Sequence, residues 1–195
     1  LGLYDATGAQ RARAVLRGRL ADERVTLRTA LPDGASRVLW FVDDDNDLAY
    51  DAPPIDRAGA VDVAAPPGPH EAVCAPASPG RDIGAPTTAG ALHGRFTEFE
   101  PHVGVYFECA VTPEGDDRTV GLFRYRALPA GGHFEFELRG VLVEGRRYVA
   151  RWFIDLNDNG VYDPRGDHGG ELAFTGRAAG VTLFHQHHQN VSWTE

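Results

Sequence analysis

The sequence predicts an all-β protein built as two tandem antiparallel β-sandwich units of the immunoglobulin-like kind. Three observations carry this. Apolar and charged residues alternate with period two, as where Phe134, Phe136 and Leu138 interleave with Glu135 and Glu137, the pattern of a strand buried on one face. Turn signals recur at short intervals, among them Pro32-Asp33-Gly34, Glu114-Gly115 and Glu144-Gly145, which is the spacing of many short strands. The third is an internal repeat. Residues 37–51, RVLWFVDDDNDLAYD, lie without a gap over residues 149–163, VARWFIDLNDNGVYD, so that Trp40 matches Trp152 and Asp51 matches Asp163. A repeat of this kind predicts two copies of one structural unit.

The elements follow in order. Leu3 and Tyr4 fall where Phe107 and Glu108 fall in the second copy, so the first unit is expected to lack an opening strand. Residues 12–20 come nearest to a helical period, but Gly18 and the alternating arginines favour a strand. Residues 39–42 and 152–154 are apolar on both faces and read as interior strands. Residues 64–94 are rich in Pro, Gly, Ala and Ser without periodicity, a linker. The expected division is a first unit over 1–66, a linker over 67–94 and a second unit over 95–195. Residues 103–111 alternate again, with Val103, Val105, Phe107, Cys109 and Val111 on one face.

Composition narrows the function. The 195 residues include 23 Gly and 13 Pro, which suits strands and turns over long helices. No apolar run reaches the roughly 20 residues a membrane helix needs. The formal net charge is -9, which argues against nucleic-acid binding. All 19 basic residues are Arg, in keeping with coding bias, and Met is 0. The chain opens at Leu1 without a charged segment and apolar run, which reads as a mature or trimmed chain whose export signal is gone. With only Cys74 and Cys109, one disulfide and a buried free thiol at Cys109 are both open.

Much of the acidity sits in two short loops. The second copy carries Asp155-x-Asn157-x-Asn159-Gly160-Val161-x-Asp163, then Asp167. Oxygen-bearing side chains at positions 1, 3 and 5, a Gly at 6 and a carbonyl at 7 can converge on a hard cation, which takes six to eight oxygens. Asp155, Asn157, Asn159, Val161, Asp163 and Asp167 are therefore candidate Ca²⁺ ligands. Position 12 is Gly166 where an EF-hand places an acid, and the flanks read as strands. The first copy keeps Asp43, Asp45, Asp47, Ala49 (through its carbonyl), Asp51 and Asp56 as a second candidate Ca²⁺ set, with Leu48 in place of the Gly. The alternative is an Asx-rich turn that caps its own backbone.

The histidines form a third candidate site. His185 and His187, at i and i+2 of a strand, project to one side, His188 follows them, and His102 and His168 join them if the fold brings their loops together. Imidazoles so placed chelate Zn²⁺ or Cu²⁺.

The loop at Asp155 resembles those of dockerins, thrombospondin type 3 repeats and the B domains of calcium-binding surface proteins. Residues 96–193 resemble an uncharacterised tandem β-sandwich domain of exported bacterial proteins, and the first unit does so more faintly. The resemblance rests on Pro101-His102-Val103-Gly104, the loop from Asp155 to Asp163, Asp167-His168, and Phe184 with His185. Where that family reads Y-D-A-P-P-x-D, the first unit keeps Tyr50 to Asp56 and the second is one residue shorter, Tyr162 to Asp167. The resemblance implies export, to the cell surface, the medium or the periplasm, and a β-sandwich; it implies no activity.

No G-x-S-x-G, P-loop or H-E-x-x-H stands in the chain, and Ser36, Ser78 and Ser192 lack triad partners. The expected function is thus a non-enzymatic, exported, Ca²⁺-binding structural protein. A fibre or surface-assembly subunit, completed by strand exchange between copies, is the first alternative. A Cu²⁺- or Zn²⁺-binding protein acting through its C-terminal histidines is the second.

Overall fold

The computed structural model describes residues 2–4, 10–17, 36–42, 57–63, 90–187 and 192–194. The chain divides into two compact units, one of Leu1–Arg13 with Thr29–Thr87 and one of Ala14–Arg28 with Thr88–Glu195. The described residues are all-β apart from one 3-10 turn, and their strands fall into two sheets.

The first unit contains β1 (Gly2–Tyr4), the opening of β2 (Gln10–Arg17), β3 (Ser36–Val42) and β4 (Arg57–Val63). Its order is β2-β1-β3-β4, antiparallel throughout. Residues 12–20, read as strand against a weak helical period, supply β2 as far as Arg17.

The second unit contains β5 (Leu92–Thr97), β6 (Tyr106–Pro113), β7 (Gly121–Tyr125), β8 (Phe134–Leu138), β9 (Arg147–Asp155), β10 (His168–Thr175), β11 (Val181–Gln186) and β12 (Ser192–Thr194). One of its sheets runs β10-β9-β6-β7, the other β12-β11-β5-β8. All pairings recorded within the unit are antiparallel except β5 with β11.

One four-strand order occurs in both units. β4-β3-β1-β2 and β10-β9-β6-β7 have the same order and the same antiparallel sense. Trp40 pairs across to Gly59, and Trp152 pairs across to Gly170. A Cβ on Gly59 would lie 2.6 Å from Cζ2 of Trp40, and one on Gly170 would lie 2.7 Å from Cζ2 of Trp152. Each indole therefore occupies the space a Cβ would need on the glycine of the neighbouring strand, and no side chain fits there. The register corrects one reading: Leu3 pairs with Val38 as Val111 pairs with Ala150, so Leu3 takes the place of Val111 and not of Phe107.

The core of the second unit lies between its two sheets. Phe107, Cys109 and Val111 from β6 and Tyr148, Ala150, Trp152 and Ile154 from β9 meet Leu92, Phe96, Phe136, Leu138 and Leu183 from the facing strands. The alternation read from sequence is what buries them, since every second residue of β6 is inside. Phe96 is fully buried and stacks on Phe134 at 5.2 Å between ring centroids, while Phe123 stacks on Phe136 at 4.2 Å. Each such ring contributes about 1.5–3 kcal/mol through burial. Gly94 pairs with Phe136, whose ring occupies the space a Cβ would need. Cys109 is a buried free thiol, and burial raises its pKa; Cys74 lies outside the described residues. The turns at Glu114-Gly115 and Glu144-Gly145 form as expected, with both glycines at positive φ. Among the described residues no helix is long and apolar enough to cross a membrane.

Candidate metal centre

Three elements bring histidines to one end of the second unit. His102 closes the 3-10 turn Glu100–His102, which Pro101 helps to start. Its backbone N–H donates to the Phe99 carbonyl at 2.8 Å, and its carbonyl accepts from Val105 at 3.1 Å. Gly104, at φ +81°, lets the chain reverse into β6 while its N–H donates to the Leu128 carbonyl. His168 is the first residue of β10 and lies opposite Ile154 of β9. His187 stands just past β11, held by its N–H to the Thr97 carbonyl at 2.9 Å.

The three ligating nitrogens all lie within 4.8 Å of one another. Nε2 of His102 and Nε2 of His187 are 3.0 Å apart. A tetrahedral ion bonded at about 2.0–2.1 Å sets its nitrogens roughly 3.3 Å apart. The 3.0 Å pair lies just below that value and the 4.8 Å limit above it, so the rings shift to close on an ion. His102 and His187 are buried, whereas His168 is exposed. The ring centroids are 5.0 Å apart for His102 and His168, 4.8 Å for His102 and His187, and 5.4 Å for His168 and His187. Phe99 packs against His187 at 4.8 Å and forms the apolar floor of the cluster. Among the described residues this is the one group of three or more His, Cys, Asp or Glu side chains close enough to hold an ion.

His185 is not in the cluster. It lies opposite Phe96 in the β5–β11 pairing, inside the core, and its ring meets Trp152 at 4.4 Å, Phe96 at 5.7 Å and Phe99 at 5.8 Å. Burial lowers its pKa to about 4. Its Nδ1 and the neighbouring Trp152 Nε1 are buried without hydrogen-bond partners. His188 lies outside the described residues.

The loop between β9 and β10 fixes where His168 stands. Asp155 is buried; its Oδ1 accepts from the Asn159 N–H at 3.2 Å and its Oδ2 from the Gly160 N–H at 2.6 Å. Gly160 takes φ +74° and Asp158 φ +56°, the tight reversal expected at the glycine position. Asn157 and Asn159 accept from backbone N–H groups two residues on, as does Asp163 from Arg165. Asp167, also buried, receives the Leu156 N–H at 2.9 Å on one oxygen and the Asp163 N–H at 2.7 Å on the other. Asp167 thus ties the start of the loop to its end, one residue before His168.

The side-chain oxygens expected at a cation are therefore engaged with the loop's own backbone, the Asx-turn arrangement. Asp155, Asp163 and Asp167 do not form a converging group of the kind the histidines form. Val161, expected to offer its carbonyl, is 65% exposed. The first-copy residues Asp43, Asp45, Asp47, Ala49, Asp51 and Asp56 lie outside the described residues.

Sequence reading named all three clustered histidines but missed Trp152-Gly170 and Trp40-Gly59, the pairs that place β10 on β9 and β4 on β3. The signal was present: each glycine follows its Asp-rich loop, 19 residues after Trp40 and 18 after Trp152. No family model, no curated protein and no solved structure matches the chain.

Proposed function

We propose that this protein is a non-enzymatic metal-binding β-sandwich of exported, immunoglobulin-like tandem type, whose second unit holds one transition-metal ion on His102, His168 and His187. The single observation that carries the reading is the convergence of three imidazole nitrogens within 4.8 Å from three separate elements. The rings come from a 3-10 turn, the first residue of a strand and the residue after another strand, and His102 and His187 also share a buried hydrogen bond at 3.0 Å. The donor set is all nitrogen, which suits Zn²⁺ or Cu²⁺ and not the oxygen-seeking Ca²⁺. Calorimetric titration with Zn²⁺ tests it. One equivalent binds, and His168→Ala or His187→Ala removes the binding; equal binding by wild type and both variants contradicts the reading.

A second ion, Ca²⁺ on the Asp155–Asp167 loop, is a further reading. It is favoured by the positive φ of Gly160, the position where such a loop needs a residue without a side chain. In that case Asp155, Asn157, Asn159, Val161, Asp163 and Asp167 turn oxygens to the ion, and Ca²⁺ raises the melting temperature of wild type but not of Asp155→Asn. An unchanged melting temperature in millimolar Ca²⁺ rejects it.

A further inference from the structure

We infer that an ion on the histidine triad keeps one coordination position open to solvent, and that this position takes a small exchangeable anion. The inference rests on the metal reading above and concerns what that site binds in addition.

Zn²⁺ and Co²⁺ in such sites take four ligands, and the cluster supplies three. His185 stands two residues before His187. It is enclosed by Phe96, Phe99 and Trp152, and Phe99 lies against both it and His187. For His185 to become the fourth ligand, its ring would have to leave a three-ring aromatic cage. The acid nearest in sequence, Asp167, accepts the backbone N–H groups of Leu156 and Asp163, one on each oxygen, and is not a member of the cluster. Among the described residues no carboxylate belongs to the cluster. Among the described residues, His102, His187 and Phe99 are the buried members of the site and His168 is the exposed one.

Charge decides what enters. Three imidazoles ligate as neutral groups, so a divalent ion keeps its full charge of two at a surface-facing position. Water occupies that position by default, and a small anion displaces it with a gain in electrostatic energy. The site differs in this from a closed structural site, in which four protein ligands leave nothing to exchange.

The test uses the full chain loaded with Co²⁺, whose visible absorption bands report the ligand set, and sodium azide as the probe. The bands are expected to appear on loading and then to shift saturably with azide, in wild type and in His185→Ala alike. Bands that form but stay unchanged at every azide concentration overturn the inference while leaving the triad in place. A shift seen only after His185→Ala or His188→Ala also overturns it, since a fourth imidazole then closes the shell. If no bands form in wild type, the triad itself fails and the inference falls with it. His168→Gln, a change at an exposed position, keeps the fold for comparison and is expected to lose both the bands and the azide response.

Discussion

The two copies of the strand–loop–strand repeat differ where it matters. In both, a tryptophan on the interior strand covers a glycine on its neighbour: Trp40 over Gly59 and Trp152 over Gly170. In both, the sequence between the two strands is Asp-rich and ends on an aspartate, Asp56 or Asp167. The next residue opens the second strand. It is Arg57 opposite Val42 in the first copy and His168 opposite Ile154 in the second. A guanidinium has no lone pair to offer a cation, and an imidazole does. The tryptophan–glycine pair is thus common to both copies, and the imidazole that the proposed metal site needs stands in the second.

The sharpest way to break the comparison is to exchange the differing residue. His168→Arg gives the second copy the residue of the first. Zn²⁺ affinity is expected to fall by at least roughly 100-fold, beyond the 10–100-fold typical when a residue that merely orients a ligand is lost. Arg57→His is expected to add no second equivalent, because the framework alone does not make a site. Titration calorimetry of both variants reads the outcome, and a second equivalent in Arg57→His would contradict it.

A smaller effect is expected at Asp167. Asp167→Ala leaves the N–H groups of Leu156 and Asp163 without their acceptors, at a cost of about 1–3 kcal/mol each where they stay buried. Denaturant unfolding measures the loss. Zn²⁺ affinity falls with it, by roughly 10–100-fold, because the residue sets the start of β10. Gly170→Ala comes next: the added methyl meets the Trp152 ring, and the strain is expected to cost about 1–3 kcal/mol. Gly59→Ala repeats the test under Trp40 in the first copy. A neutral result in either would show that the indole does not rest on that glycine.

A further effect is one of pH. His185 is held at a pKa of about 4 by burial, against 6.5 unperturbed. Between those values the unfolded chain takes up a proton that the folded chain resists, so stability of the metal-free protein falls as pH drops from about 6.5 to about 4. Below that range this contribution is constant, and above it the penalty is absent. Chelator-treated wild type and His185→Phe, compared by thermal unfolding across this range, measure it. The wild type is expected to lose more stability than the variant.

How much of this was legible follows from what spacing encodes. Alternation gave β6 and β8, and the double-faced apolar runs gave β3 and β9 as interior strands, because burial acts on the side-chain period directly. Period two also put His185 and His187 on one side, and both do touch Phe99. It did not separate their fates. His185 lies opposite Phe96 within the core, whereas His187 lies past the end of β11, where the 3-10 turn and the start of β10 arrive. Depth along a strand depends on partners distant in sequence, and spacing does not carry it. The Asp155 loop shows the same limit. Oxygens at positions 1, 3 and 5 serve an ion and the loop's own N–H groups equally well, and in this structure they receive the N–H groups.

The most direct measurement is anomalous diffraction at the zinc edge from crystals grown with Zn²⁺. The account predicts a single strong peak in the second unit, within about 2.0–2.1 Å of a ring nitrogen from each of His102, His168 and His187. A map with no peak among these three rings, or with the zinc held by the Asp155–Asp167 loop instead, would contradict it.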